Sequence, residues 1–182
     1  EREYTARTID DLIHLLLKTC PNGLKEQNKY KLSVAVQKEE KMNNRAYRAH
    51  WPQDLQDDII NNEFNGMVGT VLVSETESLR VWHLHIPAGT RCAFHRHVLN
   101  YFWTCHSSGV SRSYFEDGSI KDSKYYPGIT RHFNFSKGEY LLHSVENIGV
   151  KDLLFTTVEF KNSANTPLPV SDSIRLDQGE KS

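Results

Sequence analysis

The chain has 182 residues, and its 22 Lys and Arg nearly cancel its 23 Asp and Glu, leaving a formal charge of −1. That balance excludes the basic surplus of a nucleic-acid binder or of a protein drawn to anionic membranes, and no apolar run approaches the roughly 20 residues of a membrane helix. Three cysteines, few and odd in number, argue against a disulfide framework and for a reducing cytoplasm.

Residues 1–63 read as a mostly helical arm. Ile9, Leu12, Ile13, Leu16 and Leu17 recur at helical spacing and give one apolar face. Thr8 is placed to cap that helix, and Pro21-Asn22-Gly23 ends it. Leu24 to Trp51 is polar, with Leu32 to Val36 its one apolar patch, readable as helix or strand. Trp51-Pro52 breaks the chain, and Asp54 to Asn62 suits one more short helix. The arm carries no metal-ligand set; His14 and His50 sit beside apolar or aromatic neighbours and read as structural. A helix as short as 9–17 is marginal alone in water. Its face is therefore expected to be buried on the rest of the chain or on a second subunit, and a homodimer is expected.

From Met67 the pattern becomes short strands. Leu79 to Ile86 alternates, with Trp82, Leu84 and Ile86 on one face and Val81, His83 and His85 on the other. Thr90 to His97, Leu99 to Ser107, Arg112 to Glu116, Ile129 to Phe135, Tyr140 to Val145 and Leu153 to Phe160 continue the series. Asp117-Gly118 and Tyr125-Tyr126-Pro127-Gly128 supply turns. Short strands at regular spacing predict an all-β sandwich or barrel over 64–162. The polar, proline-bearing tail 163–182 has little to bury and reads as an edge-lying or mobile strap.

His95-Arg96-His97 lies inside this region. Residues two apart on a strand face the same way, so the two imidazoles project side by side, as the first two ligands of a metal ion must. His143 follows 46 residues after His97, four residues before Asn147. His83-Leu84-His85 is a rival pair, but its face is opposite to that of Trp82, Leu84 and Ile86, which places it outward.

Gly89, five residues, His95-x-His97 and a closing Gly109, followed by His143 and Asn147, resemble the two motifs of the cupin superfamily. Ile86-Pro87-Ala88-Gly89 resembles the turn before the first motif. The resemblance spans roughly residues 67–162. It implies a cupin barrel, the double-stranded β-helix or jelly roll, with His95, His97 and His143 as metal ligands. The family's usual Glu ligand falls, counting back from Gly109, on Phe102. The Pro and Gly that usually precede the second-motif His are replaced by Gly138 and Tyr140. The resemblance thus implies a three-histidine site without a carboxylate, similar to β-diketone-cleaving dioxygenases. The run from His95 to Thr104 is also similar to small cupins associated with β-alanine catabolism.

Three neutral imidazoles on a divalent ion leave open positions and a site charge near +2. Imidazole suits Fe(II), Zn, Ni and Cu, with Mn a further option; Fe(II) is the expected metal. Strict alternation puts Arg91 and Ala93 on the His95 face, with Arg91 offering its planar fork to a substrate carboxylate. If Phe102 points inward, so do Thr104 and His106, the latter a fourth ligand or a proton carrier. Glu139 shares the His143 face and is the carboxylate placed to replace the missing Glu. The expected function is a mononuclear non-haem oxygenase acting on a small polar or anionic substrate with dioxygen. The alternatives are a metal-dependent lyase or isomerase and a non-catalytic small-ligand binder. Neither nucleic acid nor membrane is an expected partner.

Overall fold

A computed structural model describes residues 42–176. The apolar stripe at 9–17, the patch at 32–36 and the last six residues lie outside the described residues. The chain divides into two compact units, 1–47 and 48–182. Of the first, only a helical run at 42–47 is described. The expected boundary at 63/64 falls within the second unit, which therefore includes the short helix foreseen near residues 54–62. Among the described residues no helix is long and apolar enough to cross a membrane.

Among the described residues of the second unit, helix α1 (Gln53–Asn61) precedes nine strands. These are β1 (Val71–Glu75), β2 (Leu79–Ile86), β3 (Arg91–His97), β4 (Asn100–Cys105) and β5 (Gly109–Phe115), then β6 (Ile120–Tyr125), β7 (Thr130–Phe133), β8 (Leu141–Asn147) and β9 (Leu153–Phe160). A 3-10 turn at Asp172–Ile174 follows. The strands form two antiparallel sheets with orders β1-β2-β9-β4-β7 and β3-β8-β5-β6. Consecutive strands β2, β3, β4 and β5 alternate between the sheets, so the chain winds back and forth across a shared interior. That winding brings β3 beside β8, although some 45 residues separate them.

The interior follows from alternation. Trp82 and Ile86 of β2, Tyr101 and Cys105 of β4, and Phe155 of β9 are buried. The turn into β3 uses Gly89 at φ +73, a conformation that a side chain disfavours. Asn147, fully buried, clamps two neighbouring turns by donating through Nδ2 to the Ile86 carbonyl (2.8 Å) and the Lys151 carbonyl (2.9 Å).

Strand β3 carries a bulge. Cys92 pairs with Val145 and His95 with His143, so three steps on β3 match two on β8. The displaced backbone groups find partners in the segment leading into the barrel. The Phe94 N–H donates to Asp58 of α1 (3.1 Å), and the Phe94 carbonyl accepts from Asn65 Nδ2 (2.9 Å). Phe94 itself turns outward and is buried with Trp51, Leu55 and Ile59 of the α1 region and Leu142 of β8. This small second core gives the helix its reason to be there.

The tail is an edge-lying strap as far as it is described. Val170 and Ile174 pack on Val68, Leu72 and Trp82, and Arg175 bridges to Leu72 in parallel. Glu75 accepts from Arg80 (2.9 Å), Lys161 (3.1 Å) and Arg175 (2.6 Å). Its partial burial works against ionisation, but these three cations outweigh it and hold the carboxyl down at about 2.

Candidate metal centre

The bulge ends at His95. Beyond it β3 alternates regularly, so His95 and His97 both face inward, and register sets His143 directly opposite His95. His95 and His97 are each only 4 % exposed. One ring nitrogen from each of the three residues can be chosen so that all lie within 4.8 Å of one another. Nε2 of His97 lies 3.2 Å from Nε2 of His143. Two nitrogens each about 2.1 Å from one ion are about 3.0 Å apart at a right angle and about 3.4 Å apart at the tetrahedral angle. The observed separation falls between these.

The protonation states also suit a cation. Burial lowers the pKa of His95, and burial together with the neighbouring imidazoles holds His97 and His143 well below the usual range. All three are therefore neutral at pH 7, the form that ligates. His95 Nδ1 lies 3.0 Å from the carbonyl of Ala93, the bulged residue. A donated Nδ1–H there leaves Nε2 free to ligate. His97 Nδ1 is buried without a hydrogen-bond partner; its ring is held instead by stacking on Tyr101, centroids 4.1 Å apart and planes at 15°. Two facing Nε2 atoms cannot both carry a proton. One hydrogen bond uses the lone pair of only one of them, whereas a shared cation uses both. On these observations the three histidines fit a divalent metal ion.

The other sequence-derived site residues lie elsewhere. Arg91 precedes the bulge, which reverses its face. Its guanidinium donates to Asp58 (2.5 Å) and to Ser144 Oγ (2.8 Å), outside the barrel. Phe102 also points outward, against His132 and Phe160 (centroids 5.4 and 6.1 Å). Thr104 and His106 share that outer face, on Thr130 Oγ1 (2.9 Å) and Thr156 Oγ1 (2.8 Å) respectively. Glu139 is exposed and accepts from the Ser136 N–H of its own turn (2.7 Å), so it supplies no carboxylate to the metal. His83 and His85 are on the outer face as expected, and His85 pairs with Asp152 (2.7 Å).

Tyr101 takes the inward position that the count back from Gly109 gave to Phe102. It is 2 % exposed and lies between His97 and Phe133, whose centroid is 4.6 Å away. The signal was present in the sequence. Alternation along β4 sets Tyr101, Trp103 and Cys105 on one face and the more polar set Asn100, Phe102 and Thr104 on the other. Around the histidines lies a pocket of about 690 Å³ with Trp103, Phe115, Tyr125, Phe133, Tyr140 and Phe155 in its walls. Cys92 packs against the core beyond it, its thiol pushed up to about 11 by burial and so unsuited to act as a nucleophile.

No family model matches the chain, and no curated protein matches it. Among solved structures, the chain is similar to a cupin domain from Bordetella pertussis Tohama I, with 20% identity over 52% of this chain and 98% of that one and a TM-score of 0.43. It is similar to a double-stranded β-helix protein from Klebsiella pneumoniae, with 24% identity over 55% and 82% and a TM-score of 0.42. It is also similar to a cupin family protein from Methanocaldococcus jannaschii, with 19% identity over 50% and 76% and a TM-score of 0.41. The strand orders, the alternation between sheets and the pairing of β3 with β8 give the second unit the cupin double-stranded β-helix fold.

Proposed function

We propose that this chain is a mononuclear non-haem oxygenase, with Fe(II) held by His95, His97 and His143 and a small anionic substrate as its co-reactant with dioxygen. One observation carries the reading: three neutral imidazoles, two buried and one half-buried, converge in an aromatic pocket that no Asp or Glu lines among the described residues. Such a site keeps most of the charge of a divalent ion and leaves several of its positions open, which favours electron-rich, bidentate substrates. The metal, when bound, supplies the redox chemistry that dioxygen requires. The chain orients the His95 ring through the Ala93 carbonyl, holds His97 against Tyr101, and screens the site from bulk water with the aromatic wall.

A lyase or isomerase using the ion only as a Lewis acid is the second reading, favoured by the phenol of Tyr101 near the histidines. Oxygen uptake separates the two. Elemental analysis of protein purified without added metal, then oxygen-electrode assays under anaerobic loading with Fe(II), Zn, Ni, Cu and Mn in turn, tests the proposal. His95→Ala, His97→Ala and His143→Ala should each lose most of the bound metal, while His83→Ala keeps it. Metal retained in all three site variants, or oxygen uptake with no metal dependence, overturns the reading.

A further inference from the structure

The pocket is basic at one side. Lys121, Lys124 and Arg131 are among its lining residues, and among the described residues no Asp or Glu is. Lys121 and Arg131 come from strands that end the two sheets on the same side, β6 and β7. Their register places them on the pocket face. Lys121 is paired with Ser113, and Arg131 with Trp103, and both partners line the pocket. Both cations are exposed. Six other basic residues, Arg80, Arg91, Arg96, Arg112, Lys161 and Arg175, each pair with a carboxylate. Among the described residues neither Lys121 nor Arg131 has an acidic partner. The hydrogen bond given for Arg131 runs from Nη1 to the Thr130 carbonyl (3.1 Å). Two cations facing the same cavity without a counter-charge repel each other, and a bound anion relieves that repulsion.

We infer that the pocket takes an elongated ligand with an aromatic or apolar body and a carboxylate at its far end. The body lies against Trp103, Phe115 and Phe133, and the carboxylate is held at the mouth by Lys121 and Arg131. Arg131 offers a planar fork that can take both oxygens, and Lys121 adds a point charge from the opposite sheet. The role expected for Arg91 is thus filled from β6 and β7. The inference rests on the same pocket as the oxygenase reading and names the substrate class, but it does not depend on the metal.

The test is calorimetric titration of the full chain, as purified, with 4-phenylbutanoate and with 4-phenylbutanamide, which share shape and differ in charge. The carboxylate should bind at least tenfold more tightly, and added salt should weaken it alone. K121Q/R131Q should abolish the difference and leave the affinity for the amide unchanged. K121E/R131E should prefer 4-phenylbutylamine over the carboxylate. Both substitutions are at exposed positions, and circular dichroism checks that the fold is kept. Equal binding of acid and amide, no binding of either, or a carboxylate preference that survives in K121Q/R131Q overturns the inference. A preference that depends on Lys121 and Arg131 in a protein that takes up no oxygen upholds this inference while sinking the oxygenase.

Discussion

At the scale of single residues, the three histidines were legible because their chemistry and spacing coincide: two ring nitrogens on one strand face and a third a strand pair away. Tyr101 was not found because the count back from Gly109 gives Phe102. That count crosses the loop between Cys105 and Gly109, outside β4, so it does not fix which side chains of the strand face in. The difference between Tyr101 and Phe102 can be tested by moving a carboxylate between these neighbouring positions. Tyr101→Glu adds an oxygen ligand beside His97 and should tighten metal binding about tenfold or more, equivalent to about 1.4 kcal/mol. Phe102→Glu, on the outer face, should leave metal affinity unchanged in a competition assay with a chelator.

Elements were more legible than the breaks inside them. The alternation from Leu79 to Ile86 matches β2 residue for residue, and the short helix near 54–62 is α1 within a residue at each end. What alternation could not reveal is the bulge in β3, because a bulge is defined by what the partner strand does and β8 is distant in sequence. Arg91 and Cys92 therefore read one way in the sequence and face the other way in the fold. The helix was legible as a helix but not as a brace. Its carboxylate Asp58 satisfies the bulged backbone and Arg91 together, and its apolar face covers Phe94. Leu55 is 4 % exposed in that second core, so Leu55→Ala should cost about 2 to 4 kcal/mol in a urea titration. Metal bound per folded molecule should stay near the parent value, since the ligands sit on the other face of β3.

For the molecule as a whole, two buried or tethered carboxylates pull stability in opposite directions with pH. Glu159 is 3 % exposed, accepts from Trp82 Nε1 (2.8 Å), and is pushed up to about 7, chiefly by burial. The fold binds its proton more tightly than the unfolded chain does. Its favourable contribution is therefore complete below about 4.5 and is lost as the pH rises through about 7. Glu75 has the reverse sign: the strap it anchors is secure above about 4.5 and loosens as the pH falls toward 2. Glu159→Gln keeps an acceptor for Trp82 and removes the charge. Relative to the parent it should gain on the order of 2 to 3 kcal/mol between pH 5 and pH 8 in denaturant titrations; a pH-independent difference would show that Glu159 is not the group involved. The bulge, finally, acts like a frameshift in a message. Everything on β3 before Ala93 is read in one phase and everything after it in the other. The same residue that shifts the phase also offers the carbonyl on which His95 is aimed. Loss of Ala93 would close the bulge, so that His95, Phe94, Cys92 and Arg91 alternate opposite His143, Ser144, Val145 and Glu146; Arg91 would stay on the outer face, and what His95 would lose is the carbonyl that guides it.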